Sequence, residues 1–190
     1  MGTKKEEGFY PLFLIRKLKM EKISFYTIDP NYILYLQKFD RKVPHAYDEK
    51  EKRPFIGAKI KINSVFYYIP LTSPKEKHKK MKNAIDFHKI NGGIYGAINL
   101  NNMIPVPDKC LEKIIPNLTK CESEKDTAYI ALLNNQLTWC NILENRAIII
   151  KKAYKLHKKV LETTEENSLT NRCCNYVLLE EKCKEYTVKD

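Results

Sequence analysis

The chain has 190 residues, 43% of them hydrophobic and 30% charged; that is enough for one buried core, too few for two full domains, and too apolar for a disordered chain. Lys and Arg outnumber Asp and Glu by 34 to 23, a formal charge of +11, and such a surplus points to a polyanionic partner, either nucleic acid or an acidic membrane surface. No apolar run approaches the roughly 18 residues that crossing a bilayer requires.

Residues 1–19, "MGTKKEEGFYPLFLIRKLK", have an apolar centre interrupted by Pro11 and no small-residue cleavage site, so they do not read as a signal peptide. We read them as a flexible extension, with Met20 as an alternative start and residues 20–190 as one domain. "ISFYTI" is rich in β-branched and aromatic residues and predicts a strand over 23–28. Asp29 then offers an N-cap and Pro30 a first helical position, and the helix is expected to run to Val43, just before Pro44. The polar, proline-bounded stretch 44–54 reads as a mobile loop.

The clearest pattern follows. Ile56, Ala58, Ile60 and Ile62 alternate with Gly57, Lys59 and Lys61, and after Asn63-Ser64 the alternation resumes at Val65, Tyr67 and Ile69. That is a β-hairpin whose exit delivers Thr72 and Ser73 to the sheet edge. The segment beyond it, "PKEKHKKMK", reads as a short helix or a loop. "GGIYGAINLNNMIPVP" predicts a strand over 95–100, with glycines at bends. From Asp126 to Thr164 apolar residues recur at helical steps, and the asparagines between Asn134 and Asn145 suggest a break into two helices. The tail "CCNYVLLEEKCKEY" reads as a short strand and a final helical turn or two. The fold class is α+β: an antiparallel, barrel-like sheet with helices packed on it.

The six cysteines form no CxxC pair, and no histidine stands at finger spacing, so the reading is reduced thiols in a cytoplasm, without disulfides or structural zinc. Cys173-Cys174 reads as core, and His45 and His157 carry no spacing signal.

At the hairpin's exit two hydroxyls, Thr72 and Ser73, stand next to five lysines (Lys75, Lys77, Lys79, Lys80 and Lys82) that surround His78. Cutting RNA without a metal needs a base for the 2′-hydroxyl, positive charge on the phosphorane and an acid for the departing 5′-oxygen. A lysine with an ordinary pKa of about 10.4 is a permanent cation at neutral pH, and an imidazole of about 6.5 can exchange protons there. Hydroxyls can donate to phosphate oxygens, and tyrosines can stack on bases. The same string also fits a solvated lysine face, and Tyr32, Tyr67 and Tyr68 also fit plain packing. Residue chemistry by itself leaves both readings open.

The order of the segments narrows the choice. "FYTIDPNYILYLQKFDRKVP", "FIGAKIKINSVFYYIPLTSPKEKH", "GAINLNNMIPVP", a helical stretch and "CNYVLLEEKCKEY" together resemble the ToxN/AbiQ family, the endoribonuclease toxins of type III toxin–antitoxin systems. The resemblance runs from Met20 almost to the C-terminus. It is strongest at "PLTSPK", "INLNNMIP" and "LLEEK" and weak in the long helical region. It implies a compact twisted antiparallel barrel of the Kid/MazF kind with added helices. It also implies metal-independent RNA cleavage to 2′,3′-cyclic phosphate and 5′-hydroxyl ends, with no cofactor. The implied partners are cellular and phage RNA substrates and an RNA antitoxin, a pseudoknot cut from tandem repeats. Toxin and antitoxin form closed assemblies, and the systems act in phage defence by abortive infection.

Carried over residue by residue, the resemblance marks Tyr32, Thr72, Ser73 and Lys75 as site residues, with His78 after them and Phe55 in the "FIG" stretch. Lys77 stands where some members have tryptophan, which removes a stacking group. Lys75 is expected to hold the scissile phosphate, while Tyr32 and His78 share proton transfer or orientation in a division the sequence leaves open. Lys59, Lys61, Lys77, Lys79, Lys80 and Lys82 are expected to track RNA. Two other readings fit the same residues: a non-catalytic single-strand-binding module, and a related toxin neutralised by a protein.

Overall fold

The computed structural model describes residues 22–45, 47–48, 53–54, 56–117, 119, 123–163, 165 and 167–188. The expected extension 1–19, Phe55, Cys121 and much of the 44–54 loop lie outside the described residues. Within that loop, Tyr47–Asp48 (β2) and Arg53–Pro54 (β3) pair with each other.

Seven strands form one antiparallel sheet, built on the predicted hairpin. β4 (Gly57–Ile62) and β5 (Val65–Thr72) pair from Ile62↔Val65 to Gly57↔Pro70. Asn63 makes the connection with φ 53°, in the left-handed region that asparagine tolerates better than most residues. β1 (Phe25–Ile28) lies beside β4 and carries β9 (Leu111–Ile114) on its outer edge. The other edge of β5 is shared: β8 (Ile104–Pro105) pairs at Tyr67 and Tyr68, and β7 (Ala97–Asn99) pairs at Leu71 and Thr72. β6 (Phe87–Lys89) then pairs with β7. Sequence reading anticipated β1, β4, β5 and β7 but not β6, β8 and β9.

Helix α1 (Pro30–Gln37) starts as expected: the Asp29 carboxylate accepts from Asn31 N at 2.8 Å, and Pro30 takes the first turn. It ends six residues before the expected Val43, because Asp40 draws the chain into a turn. The Asp40 carboxylate accepts from Lys42 N at 2.9 Å and from Asn175 N at 2.7 Å, pinning that turn to the start of the last helix. Lysines after Pro74 form a short helix, α2 (Glu76–Lys80).

The expected two helices are α3 (Glu124–Asn141) and α4 (Leu143–Glu162), separated at Ile142, whose ψ of 133° is extended. Asparagines cause the break by capping backbone. Asn141 Nδ2 donates to Ile23 O at 2.9 Å and its Oδ1 accepts from Ile23 N at 2.9 Å, while Asn145 Nδ2 donates to Trp139 O at 3.0 Å.

The tail corrects the expectation of a strand: Tyr176–Val188 is one helix, α5. Tyr176, Leu179 and Cys183 recur at helical spacing and are buried, and Asn175 Oδ1 accepts from Leu178 N at 3.2 Å as its cap. The core lies between the sheet face carrying Phe25, Ala58, Ile60, Tyr67 and Ile69 and the helices α1, α4 and α5. Five described cysteines are buried and outside disulfides, and burial pushes Cys110 up to about 11 and Cys140 up to about 12. No helix among the described residues is long and apolar enough to cross a membrane.

Candidate active site

The end of β5 gathers hydroxyls and cations at one exposed place. Thr72 is held by pairing with Ala97 of β7, and the approach is close: a Cβ on Gly96, whose φ is 92°, would lie 2.0 Å from Thr72 O. Only glycine fits there, which explains part of the "GGIYG" stretch. Ser73, Pro74 and Lys75 then run exposed into α2, with Lys75 extended at φ −138°. Of the lysines beyond it, Lys77, Lys79, Lys80 and Lys82 are all exposed, and Lys79 pairs with Glu76 at 2.7 Å.

His78 turns inward instead. It is only 2% exposed, with its ring against Phe87 at 5.8 Å between centroids. Its Nε2 lies 3.4 Å from Thr72 Oγ1, so the structure brings Thr72 and His78 into contact beside Ser73 and Lys75. Burial, and then the charges of Lys77 and Lys75, hold the imidazole pKa below its ordinary value. The ring therefore stays neutral at pH 7. Two hydroxyls and an ammonium are groups that can donate to phosphate oxygens.

Other expected site residues stand elsewhere. Tyr32 is fully buried, its hydroxyl donates to Pro105 O at 2.8 Å, and its ring meets Tyr186 at 4.9 Å. Burial, with Cys183 beside it, raises the phenol's pKa well above the ordinary value. A phenol so placed packs as part of the core in this structure.

Lys59 is also engaged. Its Nζ is 2.6 Å from Asp108 Oδ1 and lies 4.0 Å over the Phe66 ring. Lys61 lies 5.1 Å over the same ring. These two stand opposite Tyr68 and Phe66, four and six residues before Thr72, or about 13 and 20 Å along a strand. Phe55 is outside the described residues.

Sequence reading missed three contributors. Phe87 and Gly93 frame His78: a Cβ on Gly93 would come within 2.9 Å of the His78 carbonyl. Exposed Lys151, Lys155, Lys158 and Lys159 add a basic face on α4 that only the register of that helix reveals. A separate cleft of about 230 Å³, lined by Lys42, Thr163, Thr170, Asn171, Cys173 and Asn175 among others, includes none of the strand-end residues.

A family model described as Toxin ToxN, type III toxin–antitoxin system, matches residues 24–184, which includes the whole strand-end cluster and most of α5. The chain belongs to the ToxN family. It is 34% identical over 172 residues to Endoribonuclease ToxN of Bacillus thuringiensis subsp. kurstaki, covering 88% of this chain and 86% of that one. It is 29% identical over 192 residues to Endoribonuclease AbiQ of Lactococcus lactis subsp. lactis, covering 93% and 96%. Among solved structures, it superposes with a TM-score of 0.71 at 33% identity on a type III toxin studied for selective inhibition by a non-coding RNA pseudoknot, covering 88% of this chain and 99% of that one. The superposition on AbiQ, described as a lactococcal anti-phage endoribonuclease, gives a TM-score of 0.67 at 25% identity, with 88% and 99% covered.

This ToxN-family chain carries a second group of hydroxyl and imidazole, in its interior. The Tyr67 hydroxyl donates to Glu180 Oε1, and His157 Nε2 stands 2.9 Å from the same oxygen. Glu180 belongs to the "LLEEK" stretch, one of the places where the family resemblance is strongest. Its carboxylate ties α5 to β5 and α4, and burial and the carboxylate together raise the Tyr67 pKa.

Proposed function

We propose that this chain is an endoribonuclease toxin that cuts RNA at the end of β5, as one domain over residues 20–190. The observation that carries the reading is the gathering of Thr72, Ser73 and Lys75 at one exposed strand end, in a family whose named members are endoribonucleases. The ribose 2′-oxygen attacks the adjacent phosphorus, the 2′-proton is lost, and the P–O5′ bond breaks as the 5′-oxygen gains a proton. The products are a 2′,3′-cyclic phosphate and a 5′-hydroxyl. Because the nucleophile belongs to the substrate, the protein has to position and neutralise rather than attack. Lys75 sets its ammonium against the equatorial phosphate oxygens, and Thr72 and Ser73 donate to the same group. No metal is required for these roles. With Tyr32 buried in the core and His78 turned inward, water at the strand end takes the 2′-proton and water supplies the proton to the departing 5′-oxygen.

Exposed Lys77, Lys79, Lys80 and Lys82, with the lysine face of α4, follow the RNA backbone. The inhibitor is a structured RNA, a repeat-derived pseudoknot, held in a closed toxin–RNA assembly. It works as a product that does not leave, and its release during phage infection arrests the cell. Five buried, high-pKa thiols fit a reducing cytoplasm.

The test is cleavage of a labelled RNA by the purified chain in EDTA, with end-group analysis. Cyclic phosphate and 5′-hydroxyl ends are expected. Tight binding with no cleavage points instead to a binding-only module. Native purification with the upstream region should also yield an inhibitor destroyed by nuclease and not by protease.

A further inference from the structure

Resting on that ribonuclease reading, we infer that His78 is a positioning residue, which donates from Nε2 to Thr72 Oγ1 and so fixes that hydroxyl as a donor toward the scissile phosphate. Thr72 has one hydroxyl proton, and in this structure it is directed at the Ser73 carbonyl, 3.2 Å away. The imidazole Nε2 approaches the same oxygen at 3.4 Å. With the hydroxyl proton already committed to Ser73, this approach is attractive only if Nε2 carries a hydrogen.

The other ring nitrogen agrees. Nδ1 is buried with no hydrogen-bond partner among the described residues. A hydrogen on Nδ1 would leave a buried donor orphaned, and it would set the Nε2 and Oγ1 lone pairs against each other. A hydrogen on Nε2 leaves Nδ1 an unpaired acceptor instead of an unpaired donor and removes the clash of lone pairs. Phe87 and the close backbone at Gly93 hold the ring in this orientation.

A neutral imidazole that is 2% exposed cannot meet RNA or trade protons with it. What it can do is occupy the inward lone pair of Thr72 Oγ1, leaving the hydroxyl's hydrogen as the part that faces out. When a phosphate oxygen replaces the Ser73 carbonyl as acceptor, Thr72 donates to it without first reorienting. The contact at 3.4 Å is long for a hydrogen bond, as such bonds often are before substrate closes on them. The division of labour is then Lys75 and Thr72 on the phosphate, with His78 behind Thr72.

The test compares single-turnover cleavage rates. Thr72→Val, which removes the donor, should slow cleavage by about 100- to 1,000-fold. His78→Leu should be about as slow, and Thr72→Val combined with His78→Leu no slower than the worse single change, because both remove one function. His78→Gln places an amide N–H near the position of Nε2–H but cannot ionise, and it should recover to within about tenfold of wild type. A folded Gln variant as slow as Leu, or a double variant whose losses multiply, overturns the inference. Since Leu at a buried site can disturb folding, long-range ¹H–¹⁵N NMR of the free wild type at pH 7 gives an independent reading. The expected result is a neutral ring with its hydrogen on Nε2; a hydrogen on Nδ1, or a doubly protonated ring, overturns the inference whatever the activity. Wild type that cuts no RNA would instead overturn the ribonuclease reading, and the NMR result would still decide the tautomer.

Discussion

β5 carries a hydroxyl next to an imidazole twice, at Tyr67 and again at Thr72. In mid-strand, Tyr67 is fully buried and shares the Glu180 carboxylate with His157. At the strand end, Thr72 meets His78 where the backbone emerges beside Ser73 and Lys75. The residue types are alike, and the surroundings separate them. A half-buried carboxylate tied to two buried partners makes the first group a clamp between elements, whereas at the second the described residues show no salt bridge to Lys75, and its exposed ammonium groups are open to an anion. A site is defined here by access and charge more than by residue identity.

If that contrast is right, substitutions at the two places should separate activity from stability. The largest expected effect is at the strand end: Thr72→Val with Ser73→Ala should slow cleavage by at least about 100- to 1,000-fold, equivalent to about 2.7–4 kcal/mol of barrier, while stability falls by no more than about 1–3 kcal/mol, for the one His78 donor left without its partner. Glu180→Ala should do the reverse. It strips Tyr67 and His157 of their partner, costing on the order of 1–3 kcal/mol for each group left unsatisfied in urea unfolding, with the cleavage rate per folded molecule retained.

Acid should add a further stability cost. Burial, then the charge of Lys152, lowers the His88 pKa from 6.5 to about 4 in the folded chain. Between those values the unfolded chain takes up a proton that the folded ring refuses, so stability falls as pH drops from 6.5 toward 4. The slope is at most about 1.4 kcal/mol per pH unit. Urea midpoints at pH 7, 6 and 5 should show this fall in wild type, and His88→Gln should reduce it, leaving the part due to His78, whose pKa is also lowered. Smaller still, Tyr32→Phe should lose about 1 kcal/mol and leave cleavage intact; a loss of cleavage would return Tyr32 to the active site. Replacing Lys77, Lys79 or Lys80 by Ala should each reduce the salt dependence of RNA binding by a slope of about 0.7.

The sequence displayed the strand end better than it displayed the interior. The hairpin was legible because Ala58, Ile60 and Ile62 alternate with lysines and Asn63 marks the turn, and Thr72 to Lys75 follow directly from its exit. The helix break was legible because asparagines compete for backbone hydrogen bonds. The tail was misread since "YVLL" suits a buried strand as well as a buried helix, and only the longer series Tyr176, Leu179 and Cys183 separates them. The surroundings of Tyr32 and Lys59 were hidden for a different reason. Their roles are set by Pro105, Tyr186, Asp108 and Phe66, partners that lie up to 154 positions away in sequence and meet them only after folding. The inward turn of His78 was equally hidden, because it depends on Phe87 and Gly93.

Lys75→Ala offers the most direct test of the claim that the end of β5 is where RNA is cut. RNA affinity and single-turnover cleavage of the same oligoribonucleotide would be measured in EDTA for this variant and for wild type. The account predicts binding within about tenfold of wild type, since one lysine among several carries only a share of the phosphate contacts, together with cleavage slowed by at least about 100-fold. A variant that cuts at the wild-type rate would contradict it.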